Sequence, residues 1–346
     1  MNTTKVYAGL DIHATNTVIQ SIDREGTIMS GQELPTRAEA LIRWAQSYPH
    51  HHQVQVILEQ GTHARWVANA LAPWVERLVI CDPAENALIH QSENKNDRVD
   101  AYKLARLLRL GEYKPVWWQP MEDRHVFKSR MKMYLRQRKA KAAGIQRLIG
   151  WLRHIGISIP TGQSRFSFKR ADQWIGQIAS KDHQDLARQK LKFICFHHEQ
   201  SLDIFREVRR QGCQYWEIPE FVKIPGIGQV GSHLFSAILE DPHRFQRRSQ
   251  LYKFCQLAIT SRRSSGVPVG PERLDKRGYG ELKAMSQRAW LGAMNTNEDN
   301  EVKRFWRASC RRSASKRNAR LNTQRKIIGA MWSLWKHGKP YNPNQF

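Results

Sequence analysis

Asp11, Glu59, Asp97 and Asp100 are the residues of this chain whose types and spacing could do chemistry as a set. Asp11 closes the alternating stretch Lys5-Val6-Tyr7-Ala8-Gly9-Leu10, and Glu59 closes Val54-Gln55-Val56-Ile57-Leu58, so both carboxylates are expected at strand ends. Asp97 and Asp100 stand three apart at the start of a helix-like run and so share one helical face. Two strand ends and one helix could converge four carboxylates on hard divalent cations, Mg²⁺ or Mn²⁺. A pair of such ions can clamp both the attacking and the leaving oxygen of a phosphodiester. Each acid also has a plainer explanation, since the helix macrodipole favours acids in a first turn and acids are common on surfaces. The set points to chemistry more strongly than any member.

Charge narrows the partners. The chain of 346 residues carries a formal net charge of +25, and the excess is unevenly placed. Met1 to Pro115 holds 12 Lys and Arg against 13 Asp and Glu, whereas the remainder holds 44 against 18. Arg124 to Arg170 contains 13 basic residues without an acid, and 12 more follow Glu301, again without one. Such segments repel themselves unless a polyanion neutralises them, which favours nucleic acid over a solvated basic face or a lipid surface. No run approaches the roughly 18 to 20 apolar residues of a membrane span, and no basic patch followed by an apolar signal segment opens the chain, so no membrane partner and a cytoplasmic location are expected. The five cysteines, Cys81, Cys195, Cys213, Cys255 and Cys310, are scattered and suggest neither disulfides nor a zinc site. His50-His51-His52 and His197-His198 are adjacent rather than spaced for one metal, and are expected to be solvated or near phosphate.

The patterning divides the chain into three segments. Residues 1–115 read as a small α/β domain: strands at Val6 to Asp11, Asn16 to Ile22 and Thr27 to Leu34, a helix from about Arg37 to Ser47, and the Glu59 strand. Gly61-Thr62 then suits a strand-to-helix turn with Thr62 as N-cap. A helix to Leu71, a strand through Leu78-Val79-Ile80-Cys81 and the helix of Asp97 and Asp100 complete the element order of a ribonuclease-H-like domain. Residues 116–215 are expected to be an all-α middle, two long antiparallel helices forming a coiled-coil arm, with an ordinary bundle as the alternative. Residues 216–346 read as mainly helical, with stretches at about Val230 to Leu239, Ser249 to Leu257, Gly280 to Met294 and Glu301 to Lys336. Ile224-Pro225-Gly226-Ile227-Gly228 is turn chemistry of the helix-hairpin-helix kind, in which Gly226 and Gly228 would let backbone N–H groups approach a phosphate. Lys128, Arg130, Lys132 and Arg136 on the basic helix are candidate phosphate contacts.

These residues together resemble the DEDD transposases of bacterial insertion sequences, a family understood as bridge-RNA-guided recombinases, and the resemblance covers essentially the whole chain. Gly9-Leu10-Asp11 resembles the family's opening strand, Glu59-Gln60-Gly61-Thr62 its second acidic step, and Asn94-Lys95-Asn96-Asp97-Arg98-Val99-Asp100-Ala101 its most specific signature. Ile224-Pro225-Gly226-Ile227-Gly228, Ser264-Ser265-Gly266 and Lys276-Arg277-Gly278 resemble the C-terminal transposase domain. The chain departs from the pattern at Gly266-Val267-Pro268-Val269-Gly270-Pro271, where Gly-Gly-Lys is usual, and at Leu274-Asp275-Lys276, where Ile-Ser-Lys is typical.

The resemblance implies a RuvC-like N-terminal domain whose acidic tetrad of Asp11, Glu59, Asp97 and Asp100 holds Mg²⁺, with a serine nucleophile, Ser264 or, with the motif slid by one, Ser265. Arg262, Arg263, Lys276 and Arg277 could neutralise the scissile phosphate. The resemblance also implies DNA as target and donor, a structured non-coding RNA as guide, and a homodimer or homotetramer. Transposition through a covalent phosphoserine step is therefore the expected function. The alternatives are a RuvC-like, structure-specific nuclease in which water attacks, and a non-catalytic nucleic-acid-binding regulator whose acids are structural.

Overall fold

The computed structural model describes residues 5–49, 53–83, 96–120, 122–159, 166–260, 263–264, 267–268, 270 and 272–346, the side chains of residues 122, 263, 264, 267 and 268 excepted. The chain divides into two compact units, Met1–Pro120 and Met121–Phe346. The expected middle and C-terminal segments thus fall within one unit.

In the first unit the strands are β1 (Val6–Ile12), β2 (Asn16–Ile22), β3 (Ile28–Pro35), β4 (Val54–Glu59), β5 (Arg77–Cys81) and β6 (Pro115–Val116). They form one six-stranded sheet in the order β3-β2-β1-β4-β5-β6. The first three form an antiparallel meander, β1, β4 and β5 run parallel, and β6 returns antiparallel. Alternation along β1 decides what each face meets. Val6, Ala8 and Leu10 join the core that also takes in Leu41 and Trp44 of α1 (Ala38–Gln46) and Val67 and Leu71 of α2 (Ala64–Leu71). The other face carries Ile57, Val79 and Cys81, packed on Leu104, Leu107 and Leu108 of α3 (Asp97–Leu110). Thr62 does not cap α2: the residue before that helix is His63, which makes no side-chain cap but accepts at Nδ1 from Trp66 Nε1 at 3.1 Å.

Helix α3 lies unusually close to β1. A Cβ built on Gly9 would stand 2.0 Å from the Ala101 carbonyl oxygen and 2.5 Å from the Ala105 nitrogen. Only glycine lets the helix backbone sit directly on the strand there.

The second unit opens with α4 (Glu122–His154), which runs antiparallel to α6 (Lys181–Gly212): Arg130 bonds Gln211 near one end, and Trp151 packs edge-on to His183 near the other. The expected single helix over the second half of the middle segment is instead α5 (Phe168–Gly176) followed by α6. Each has its own serine N-cap, Ser167 and Ser180. The two ends of α4 belong to different cores. Leu148, Ile149 and Leu152 pack with Trp174 and Ile175 of α5, while Phe127, Met131 and Tyr134 enter the large core of the C-terminal helices. That sharing puts the middle segment and the C-terminal helices in one unit.

The C-terminal helices are α7 (Glu217–Val222), α8 (Gln229–Leu239), α9 (Arg248–Phe254), α10 (Gly280–Met294), α11 (Glu301–Arg312) and α12 (Lys316–Lys336). The expected run from Glu301 to Lys336 is broken after Arg312, and Ser315 caps the new helix by accepting from Asn318 N. At the base of α4, Arg124 donates to Glu217 Oε1 at 2.8 Å and to Ser236 Oγ at 2.7 Å, with its guanidinium 3.7 Å from the Tyr215 ring centre. The Glu217 side chain is fully buried.

Two outcomes test this packing. Gly9→Ala should lower the stability of the first unit by about 1–3 kcal/mol, because α3 must lift off β1, and denaturant unfolding of residues 1–120 measures it. Arg124→Met leaves the Glu217 carboxylate buried without its cation, so the second unit should lose roughly 3–5 kcal/mol. A loss below about 1 kcal/mol would show that the pair does not hold that core.

Candidate functional site: an acidic cluster at the ends of β1 and β4

Parallel pairing of β1 with β4 sets Leu10 opposite Leu58, so Asp11 and Glu59 follow at the same edge of the sheet. Glu59 pairs in turn with Cys81 of β5. Asp11 shares a strand face with Gly9, the face on which α3 rests, and the first turn of α3 carries Asp97 and Asp100. Asn96 caps that helix, its side chain accepting from Arg98 N at 3.0 Å, and the positive end of the helix favours the two acids. Gly9 and Asn96 are therefore the local reasons that two distant sequence motifs meet.

The environment of Asp11 reflects these neighbours. Burial pushes the Asp11 carboxyl above its ordinary range; the neighbouring His13 counteracts this, and the negative charges of Asp97, Asp100 and Glu59 add to the rise. The other three predicted acids thus each act on Asp11. Lys103 sits 3.3 Å from Asp100 and offsets part of its charge. An oxygen-rich cluster whose members repel one another suits a divalent cation, which would relieve the repulsion. Among the described residues, the group whose possible donor atoms all lie within 4.8 Å of one another takes in Asp11 and Asp97 of the four acids, and Asp100 and Glu59 stand outside it.

His13 is the residue that sequence reasoning passed over. Its Nε2 lies 3.3 Å from Asp11 Oδ2 and 3.3 Å from Asp97 Oδ2. The three donor atoms fall within 4.8 Å of one another. The available signal was its position two residues beyond Asp11, in phase with Gly9 and Asp11.

Two family models match the chain. Residues 8–155 match one described as a transposase of the DEDD, IS110 type. Residues 220–307 match one described as the transposase IS116/IS110/IS902 family. The chain belongs to the DEDD-type IS110 family of transposases. No curated protein matches it. The family makes DNA the substrate and strand cleavage and rejoining the general activity, with a divalent metal as the usual cofactor class. Among the described residues, no helix of this transposase is long and apolar enough to cross a membrane.

The second unit holds the remaining predicted residues. Gly226 has a positive φ of 85°, and a Cβ there would stand 1.9 Å from the Ala289 carbonyl oxygen, so packing against α10 demands that glycine. Gly228 meets nothing within 4 Å and precedes α8. With Arg138 and Arg288 these residues line a cavity of about 300 Å³. Lys128 pairs with the buried Glu240, and Arg130 donates to Gln211 at 2.7 Å, so both have partners within the unit. Lys132 and Arg136 instead line a groove of about 360 Å³ with Lys139 and Tyr279. His197 bonds Gln137 and His198 bonds Lys141, both across the α4–α6 pair, while His50, His51 and His52 lie outside the described residues.

Ser264 stands in a two-residue strand, β8 (Arg263–Ser264), paired with β9 (Val267–Pro268). Arg262 and Ser265 lie outside the described residues. Flanking this hairpin, β7 (Ile259–Thr260) pairs with β10 (Arg273–Leu274). Lys276 lies just beyond, and Gln256 fixes its turn by donating to the carbonyls of Lys276 at 2.7 Å and Gly278 at 3.1 Å. Asp275 accepts from Arg277 N at 2.8 Å. Arg273, Lys276, Lys283, Arg317 and Arg320 line a cleft of about 660 Å³ beside β7 and β10.

The raised Asp11 carboxyl sets a test with a defined sign. A group held above its unfolded value of 3.8 binds protons better in the folded state, so its ionised form at neutral pH destabilises the metal-free fold. Asp11→Asn should therefore raise the melting temperature of the metal-free protein at pH 7 and narrow that gain as the pH falls toward 4. Adding Mg²⁺ or Mn²⁺ should stabilise wild type and not the variant. Equal stabilisation of both would place the ion elsewhere.

Proposed function

We propose that this transposase cuts and rejoins DNA through a phosphoserine intermediate, with Asp11, Glu59, Asp97 and Asp100 holding Mg²⁺ or Mn²⁺ and Ser264 or Ser265 as nucleophile. The observation that carries the reading is the gathering of Asp97, Asp100 and Glu59 near the half-buried Asp11, whose carboxyl is pushed up by burial and further by their negative charges. Such a cluster costs stability unless a cation uses it. When bound, a divalent ion supplies charge neutralisation at the reacting phosphate. The serine oxygen bonds to phosphorus as the bond from phosphorus to one deoxyribose oxygen breaks. The serine proton goes to a base or solvent, and the departing oxygen takes a proton in its place. Rejoining reverses this sequence, an incoming deoxyribose hydroxyl displacing the serine.

The basic cleft with Arg273, Lys276, Lys283, Arg317 and Arg320 supports a phosphate-rich ligand in the second unit. On the family resemblance, a structured non-coding RNA reads sequence while the protein reads backbone and shape, and a dimer or tetramer does the work. Lys132 and Arg136, which line an open groove, are the better phosphate contacts of the basic helix, since Lys128 and Arg130 are engaged within the unit.

Covalent trapping separates this reading from a hydrolytic nuclease. Wild type, Ser264→Ala, Ser265→Ala and Asp11→Ala are incubated with the element's RNA, labelled junction DNA and Mg²⁺, then denatured. A labelled protein–DNA adduct is expected in wild type, reduced at least 100-fold in Asp11→Ala and in one serine variant. Cleavage without an adduct in any sample would establish water as nucleophile.

A further inference from the structure

His13 lies just past the end of β1, on the side of the strand that faces α3, between Asp11 and Asp97. Its side chain is 41% exposed, but Nε2 itself is closed off from solvent and makes no hydrogen bond among the described residues. That atom stands 3.3 Å from one oxygen of each carboxylate and bonds to neither. A buried ring nitrogen so close to two acids normally takes one of them as a partner. Here the nitrogen and the two oxygens share the space among them instead, each within 4.8 Å of the others. Adjacent ligands of an ion with bonds near 2.1 Å stand about 3 Å apart, so the three atoms need little movement to bind one.

We propose that His13 is a direct ligand of the ion held by Asp11 and Asp97, giving the centre a mixed nitrogen and oxygen donor set. This inference rests on the acidic cluster being a metal site and deepens that reading. A set made only of carboxylates suits Mg²⁺, a hard cation that favours oxygen and gives up water reluctantly. An imidazole nitrogen shifts the preference toward first-row transition ions, of which Mn²⁺ still accepts carboxylate and water readily. His13 therefore sets which ion occupies the centre as well as helping to hold it. The ring is carried by the strand end that carries Asp11, so the two ligands move together, whereas Asp97 comes from α3.

Pulsed electron paramagnetic resonance on the full chain loaded with Mn²⁺ tests the proposal. Wild type should show the coupling of a directly bound imidazole ¹⁴N, replaced by the ¹⁵N pattern when histidine is labelled. His13→Gln should lose that coupling while still binding Mn²⁺ through the carboxylates. In parallel titrations, the ratio of Mn²⁺ to Mg²⁺ affinity should fall by about tenfold or more in His13→Gln and in His13→Asn, with melting temperatures of the metal-free proteins reporting that both variants fold. Bound Mn²⁺ without nitrogen coupling in wild type, or coupling that persists in His13→Gln, would overturn the role of His13 and leave the metal site standing. Mn²⁺ binding that is equal in wild type and Asp11→Asn would remove the metal site and this proposal together.

Discussion

The backbone of α3 rests on β1 at Gly9, and the arrangement of the first unit depends on that contact. A parallel sheet brings Asp11 and Glu59 to one edge without help, because β1 and β4 are neighbours in matching register. The second pair of acids has no such guarantee. Asp97 and Asp100 reach the same place only because a helix can approach the strand to backbone distance, and a side chain at position 9 would hold it away. The site is therefore built from an absence of atoms on the strand as much as from the carboxylates. Burial of Asp11, and after it the negative charges of Asp97, Asp100 and Glu59, opposes the gathering, as the raised Asp11 carboxyl records. Packing of Leu104, Leu107 and Leu108 against Ile57, Val79 and Cys81 supplies the opposing gain.

The second unit meets a different difficulty. Its surface is strongly basic, yet several of its cations serve the fold. Arg124 and Lys128, on successive turns of α4, are spent on the buried acids Glu217 and Glu240. Arg325 donates from α12 to the Leu257 carbonyl at 2.9 and 2.7 Å. The cations that line open space lie further along α4, at Lys132, Arg136 and Lys139, and around the cleft beside β10. A count of basic residues therefore overstates the surface offered to a polyanion, and their positions define it better.

Much of this was legible in the chain. Alternation and turn residues located every strand of the large sheet except the short β6, and three-residue spacing located the acids of α3. The meeting of Asp11 and Glu59 followed from element order, because strand ends at one edge of a parallel sheet converge. Helix breaks were harder: α5 and α6, and α11 and α12, read as continuous because their apolar stripes continue across the breaks, and the serines that cap the second members look like ordinary polar residues. Thr62 had the chemistry of a cap but stands one residue too early. His13 was passed over because one histidine near one acid has no pattern, and its meaning comes from Asp97, far away in sequence. The turn at Gly226 suggests an approach from outside, whereas the neighbour the structure places against it is the protein's own helix.

The pairing of Thr260 with Arg273 has a consequence for reach. Ser264 comes four residues after Thr260, and an extended chain spans at most about 3.6 Å per residue, so its Cα stays within about 14 Å of the clasp whatever path lies between. On the proposed role of this serine, the clasp works as a fixed pivot with a short tether. A scissile phosphate must then be delivered inside that radius, beside Arg273 and Lys276. Where the strand is cut would be measured from the pivot, and lengthening the tether by a residue would widen the set of phosphates within range without altering a single contact to DNA.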